Sequence, residues 1–356
     1  MKAPSGPAGT PTGVRRPVPA APTAVLVYFI RRLVNVVVML LVVSAVTFGI
    51  FFMVPKLTGS DPALLYVGKI ADKAAVEGIR HKMGLDKSIP EQYFLFLKGL
   101  FVGRDYSTGV DVTHCAAPCF GYSFKTEQAV WPLLLDRLGV TASLAAGASV
   151  IWLVFGTATG VVSALRRRTM LDRITMTTAL AGVSLPIYFT GMLASAIFVY
   201  QLGWFPHDYV NLGDDPVAWF QNLVLPWITL AFLYAATYAR LTRATLLEVL
   251  GEDYIRTARA KGLNERTVIG KHALRSTLTP ILTIFGMDLG ALIGGAVLTE
   301  STFNFRGLGY EAVAAISASD LPVIMGVTLF AGFFIILANL LVDVLYAVVD
   351  PRVRLA

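Results

Sequence analysis

Few side chains in this 356-residue sequence could do chemistry, and they are scattered. The four histidines stand at 81, 114, 207 and 272, with no H-E-x-x-H pair to hold a catalytic zinc. No G-x-S-x-G surrounds a serine. "GVSLP" at Ser184 reads as a proline-bent helix and not as a nucleophile. "IGKHA" lacks the upstream glycine of a phosphate-cradling G-x-x-x-x-G-K-[ST] loop. An enzyme is therefore not expected, nor a cofactor, and any use of ATP falls to another subunit.

Three features remain. Cys115 and Cys119, in "HCAAPCFGYS", are the only cysteines. Outside a membrane such thiols oxidise, and a disulfide closing this small loop is expected. With His114 the pair falls short of a four-ligand zinc site. Asp288 lies inside the apolar run "TIFGMDLGALIGGAVL". A carboxylate at a helix centre costs about 2.5–3.5 kcal/mol to insert in a bilayer. It marks either a translocation path or a hydrogen bond to a neighbouring helix. The third feature is "DYIRTARAKGLNERTVIGKHALRSTLTP", Asp253 to Pro280, a basic, helical-looking stretch between two very apolar ones.

What carries these residues is a membrane protein. Hydrophobic residues make up 55% of the chain, charged residues 15%, and the mean hydropathy is +0.65. Soluble domains average about 45–50% apolar and about 25% charged. Six runs reach the about 20 apolar residues that a spanning helix needs: Leu33–Val54, Leu138–Leu165, Ile174–Leu202, Leu223–Thr242, Pro280–Thr299 and Leu321–Val349. They must be helices, because backbone amides in hydrocarbon have no other partner. The first run is too long for a cleavable leader and is read as a retained span.

Basic residues set the orientation. Lys2, Arg15, Arg16, Arg31 and Arg32 precede the first span, Arg166, Arg167, Arg168 and Arg173 follow the second, and Arg352 and Arg354 follow the last. Arg240, Arg243, Arg256, Arg259, Lys261, Arg266, Lys271 and Arg275 lie between the fourth and fifth. The opposite short loops carry Arg306 alone, and one holds Asp208, Asp214 and Asp215. Both termini are thereby expected in the cytoplasm. The fold expected is an all-α integral membrane protein of six transmembrane helices, multi-pass in the cell membrane. Its parts are a disordered tail at 1–24, a first helix at 25–54 and a large extracytoplasmic segment at 55–137. A five-helix core at 138–350, with a cytoplasmic loop at 243–279, and a tail at 351–356 complete it. Within the external segment a short amphipathic helix is expected near Gln92–Phe101, as a lid on the bundle or a surface for an extracytoplasmic partner.

The cytoplasmic loop reads as helix, turn, helix. Glu252 and Asp253 place negative charge at a helix start. Gly262 suits the left-handed residue past a helix end, and Leu263 the apolar contact that follows. Asn264 is a good cap for a second helix, and Pro280 is expected to open the fifth span. A basic hairpin on anionic lipid fits this pattern. A DNA reader has the same outline, but a tether between two spans obstructs groove access, so no nucleic acid is expected. Tyr254, Ile255, Ala258 and Leu263 beside Arg256 and Arg259 point to a protein partner.

"EDYIRTARAKGLNERTVIGKHALRSTLTP" resembles the EAA-type coupling loop of ATP-binding-cassette importer permeases, closest to the first-subunit branch of the dipeptide/oligopeptide family. "RRLVNVVVMLLVVSAVTFGIFF", "MGLDKSIPEQY", "VWPLLLDRLGVTASLA" and "NLLVDVLYAVVDPRVR" agree, so the resemblance covers roughly residues 25–356. It implies a transport subunit that works with a second permease, two ATPase subunits and an extracytoplasmic binding protein. Tyr254, Ile255, Arg256, Ala258, Arg259, Ala260, Gly262 and Leu263 would dock in the ATPase. Peptides would be the substrate, with nickel chelate, glutathione or another small solute as alternatives. A membrane enzyme or a lipid-bound scaffold are the readings from other classes. Three stretches depart from the family pattern, all outside: Arg306 before "GLG", the long "VPKLTGSDPA" turn, and the cysteine loop.

Overall fold

The computed structural model describes residues 22–53, 62–66, 73–107, 112–206 and 208–349. The tails expected at 1–24 and 351–356 lie outside these residues, apart from a helical start at Pro22.

The apolar runs become helices, most of them longer than the runs themselves. The first is α1 (Pro22–Phe48), which widens into a π-helical turn at Gly49–Met53. The second is α4 (Val130–Leu165), so the helix starts inside the segment assigned to the exterior. The fourth is α7 (Pro216–Val249). Asp215 caps it, its carboxylate accepting from the amides of Val217 at 2.9 Å and Ala218 at 3.1 Å, with Pro216 in the first turn. The last is α13 (Leu321–Val349), as expected.

The third run is not one straight span. It forms α5 (Met170–Ser184) and α6 (Ile187–Ala194, continuing as a π-helix to Gln201), bent by 99°. Pro186 causes the break: its ring disfavours a helical residue before it, and Leu185 is extended at φ −89°, ψ 126°. Among the described residues, 5 helices are long and apolar enough to cross a membrane, or 6 if the bent pair is one span.

Small residues set the helix spacing. A methyl added at Gly160 on α4 would lie 2.6 Å from the Ala239 carbonyl oxygen on α7, and one at Gly156 would lie 2.8 Å from Tyr238 Cβ. The backbones can therefore approach closely, as dispersion-driven packing in lipid requires. Leu144, Ala148, Trp152, Leu223, Leu230, Tyr238 and Ile281 fill the core between α4, α7 and the fifth span.

The described residues before α4 hold strands as well as the expected helix. They include α2 (Lys73–Met83) and α3 (Ile89–Val102), the latter a longer version of the expected Gln92–Phe101 helix. Two short antiparallel pairs follow: β1 (Arg104–Ser107) with β2 (Val112–Cys115), and β3 (Tyr122–Ser123) with β4 (Gln128–Ala129). Stacking of Tyr106 on Tyr122, centroids 5.8 Å apart, joins the two pairs. Helix α3 rests on the ends of α1 and α13. Phe96 and Tyr93 meet Phe48, Ser44 and Tyr93 share a 2.8 Å hydrogen bond, and Met325 and Leu329 close the cluster.

Candidate functional site

The loop after α7 begins with α8 (Asp253–Ala260). Its end is a complete glycine cap. The Gly262 amide donates to the Arg259 carbonyl at 2.9 Å and the Leu263 amide reaches back to the Ala258 carbonyl at 3.4 Å. This double closure needs a left-handed residue, and Gly262 has φ +77°. A Cβ there would meet nothing within 4 Å, so the backbone angle and not space demands glycine. Asn264 then accepts from the Arg266 amide at 3.2 Å and starts α9 (Glu265–Thr267).

The second loop helix does not stop before the fifth span. Helix α9 passes through a π-helical Val268–Ala273 into α10 (Leu274–Ile293), one continuous helix from Glu265 to Ile293. Pro280 therefore sits inside a helix and does not open one, which corrects the sequence reading. Pattern alone gave no boundary, because both stretches are helical and proline is tolerated within membrane helices.

Helix α8 is amphipathic, and its apolar side is already used. Ile255 and Ala258 are buried with Leu246, Val249, Val268, Ala273 and Ala164. These two side chains mount the helix on its own chain. Tyr254, Arg256, Arg259, Ala260, Gly262 and Leu263 are exposed. Arg259 grips Glu265 with two bonds, 2.7 and 3.3 Å, which raises its pKa and staples α8 to α9. Tyr254 and Ser276 share a hydrogen bond of 3.0 Å. The result is a short rod fixed at its base, offering Tyr254, Leu263 and the guanidinium of Arg256.

Asp288 lies on α10, and the Tyr238 hydroxyl on α7 donates to it at 2.8 Å. Cys115 and Cys119 are joined by a disulfide at the end of β2, far along the chain from both. Among the described residues no group of three or more His, Cys, Asp and Glu side chains could hold a metal.

Two family models match the chain. Residues 25–145 match the N-terminal region of the binding-protein-dependent transport system membrane component, and residues 156–355 match the binding-protein-dependent transport system inner membrane component itself. A protein of Brucella abortus (strain 2308), named for a peptide transport system permease, is 40% identical over 91% of this chain and 98% of its own length. The chain belongs to the binding-protein-dependent transport system inner membrane component family. The glutathione transport system permease protein of Pectobacterium atrosepticum is 39% identical over 92% of this chain and 98% of its own. A chain from the inward-facing MetNI methionine ABC transporter superposes with a TM-score of 0.47 at 17% identity, over 62% of this chain and 97% of that one.

The protein is thus a multi-pass permease subunit of an ABC importer in the cytoplasmic membrane, a transport subunit and not an enzyme. ATP hydrolysis belongs to separate subunits, and a substrate-binding protein completes such a system.

Two carboxylates in this permease matter structurally and escaped the sequence reading. Asp172 on α5 is buried, bound by Ser163 of α4, by the Arg168 amide at 2.9 Å and by the Arg243 guanidinium of α7. One signal existed: Thr169 and Asp172 have the spacing of a helix-start box, and Thr169 Oγ1 accepts from the Asp172 amide at 3.4 Å. Glu300, in α11 (Val297–Thr302), is wholly buried. It accepts from Thr141 at 2.8 Å and from the amides of Tyr310 at 2.8 Å and Ala296 at 3.3 Å. Burial raises its pKa against these hydrogen bonds. It ties α4 to α12 (Leu308–Ala318), and nothing local announced it.

Proposed function

We propose that this permease imports short peptides, pairing with a second homologous permease, two ATPase subunits and an extracytoplasmic binding protein. The observation that carries the reading is the mounted rod α8. Ile255 at 0% and Ala258 at 7% exposure anchor it, while its exposed face presents Tyr254, Arg256, Arg259, Ala260, Gly262 and Leu263. A helix of 8 residues has no stability of its own in water, so a rigid base is what lets it transmit force. We place this face in a cleft of the ATPase. When the ATPases close on nucleotide, the rod moves with them. The unbroken helix Glu265–Ile293 and the adjoining α7 tilt in turn. The cavity between the two permeases then opens outward, receives substrate, and opens inward after hydrolysis. Each state must bind its ligands differently for this coupling to work.

The basic residues around α8 and α5 support a cytoplasmic loop with both termini inside, and the bent pair α5–α6 counted as one span gives six. The segment 55–137 then faces the binding protein, with exposed Phe94 and Phe101 on α3 available to it. The core at 138–350 carries the path, and Asp288 lines it. Membrane lipid surrounds the exposed apolar faces of α1 and α5. Glutathione is the second reading, favoured by the 39% identity to the Pectobacterium permease. Nickel chelates or other small solutes would use the same machinery.

The test is a cysteine placed at Arg256 in the reconstituted importer, paired with cysteines along the ATPase cleft. Crosslinks that change with nucleotide are expected. A rod that labels only with lipid-phase reagents and never with the ATPase sinks the docking reading.

A further inference from the structure

Asp288 is an unusual carboxylate. It is half-buried within the membrane helix α10, and among the described residues no Lys, Arg or His pairs with it. The Tyr238 hydroxyl donates to it across the helix interface. Such groups in membrane helices ordinarily pair with one another or with backbone carbonyls, and they mark substrate pathways.

The neighbourhood is aromatic. Tyr234 stacks on Trp152 with centroids 4.6 Å apart and 24° between planes. Trp152 also meets Phe285 at 6.0 Å and Tyr238 at 6.3 Å. Tyr234 and Tyr238 are one turn apart on α7, and Phe285 and Asp288 one turn apart on α10, so each pair shares a helix face. Trp152 and Tyr238 are fully buried, whereas Tyr234, Phe285 and Asp288 are partly open. Among the described residues the buried Trp152 Nε1 finds no hydrogen bond of normal geometry.

A carboxylate with no cationic partner, bonded to Tyr238 and sharing a helix face with Phe285, suits an ammonium ion. The charge pairs with the carboxylate, and the rings attract the cation through their quadrupoles, more strongly when water is excluded. A purely structural Tyr238–Asp288 bond would need neither the charge nor the open ring of Tyr234. We propose that Asp288, Tyr234 and Phe285 form a transit site for the free amine of the transported solute, with Trp152 and Tyr238 as positioning residues behind them. This rests on the reading that α4, α7 and α10 border the path of a peptide importer. The site must hold the amine weakly enough to release it, which one carboxylate and two rings achieve and a closed ion cage would not.

The experiment uses the complete importer in proteoliposomes with its binding protein in excess. The probes are trialanine and glutathione, each with a free or an acetylated amine. Asp288→Asn keeps an oxygen to accept from Tyr238 and removes only the charge. It is expected to lower uptake of the free-amine probe about ten-fold, as loss of about 1.4 kcal/mol would, and to leave the acetylated probe far less affected. Asp288→Glu should restore most of the difference. Tyr234→Phe should keep it and Tyr234→Leu should lose it. The same binding protein serves every arm, so its own preference divides out. Unchanged free-amine uptake by assembled Asp288→Asn overturns the amine site while the peptide reading stands. If Asp288→Asn does not assemble, equal free-amine uptake by Tyr234→Phe and Tyr234→Leu overturns it. A wild-type importer that takes up none of the four probes overturns the peptide reading, and the amine site with it.

Discussion

Arg243 holds Asp172 at two points, Nε to Oδ1 at 2.8 Å and Nη2 to Oδ2 at 3.0 Å, although the two residues are 71 positions apart. The pair locks α7 to the start of α5, directly before the chain enters the α8 rod. A displacement carried from α8 into α7, as the docking reading proposes, would therefore act on α5 as well.

The two partners are not equally exposed, and that predicts an asymmetry. The Asp172 side chain is 7% exposed and that of Arg243 is 26% exposed. Arg243→Met leaves the carboxylate without its counter-charge, held by Ser163 and the Arg168 amide alone, and should be strongly destabilising. Asp172→Asn leaves a guanidinium that can turn toward water, and should cost less. Thermal unfolding of the detergent-purified complex should rank Arg243→Met below Asp172→Asn. The reverse order would mean the pair is not what holds α5.

Gly262 separates backbone from bulk. At φ +77° with open space around it, Gly262→Val should strain the cap by about 1–2 kcal/mol. Gly262→Asn should be tolerated, since asparagine enters the left-handed region readily. In vesicles, Gly262→Val is expected to uncouple ATPase activity from uptake, and Gly262→Asn to keep both. Wild-type uptake by Gly262→Val would count against a rod whose direction matters.

The inner and outer faces of α8 should respond differently. Ile255→Ala opens a cavity in the cluster under the rod and should cost about 2–5 kcal/mol. Arg256→Ala sits on the surface and should change stability by no more than about 0.5 kcal/mol. The docking reading expects Arg256→Ala to weaken ATPase co-purification nonetheless. Equal recovery of ATPase with Arg256→Ala and wild type would remove that guanidinium from the interface.

Glu300 offers a stability test remote from the loop. Glu300→Ala leaves the amides of Tyr310 and Ala296 without their acceptor, and the Thr141 hydroxyl with only the Arg137 carbonyl at 3.5 Å. Each unsatisfied group costs about 1–3 kcal/mol. Thr141→Val removes one link at Glu300 and the acceptor of the Leu308 amide, and should be milder. Melting curves should place Glu300→Ala lowest, with protease cutting first near α12.

The sequence by itself determined what depends on neighbours within about a turn. Long apolar runs had to be helices, basic residues clustered in certain loops, and the glycine-capped rod could be read at Gly262 because its cap closes over six residues. The break at Pro186 has the same local cause. The tertiary structure alone decided which helix faces meet. Helix α4 is apolar on nearly every side, so its pattern does not say that Gly156 and Gly160 face α7, or that Thr141 faces Glu300. Nor does the pattern of α8 say whether Ile255 looks outward to a partner or inward to Val268. In an apolar solvent all faces of a span cost about the same to expose. Close packing and the few buried polar bonds, Asp172 with Arg243 and Asp288 with Tyr238, select the arrangement, and those partners lie too far apart in the chain for any local pattern to pair them.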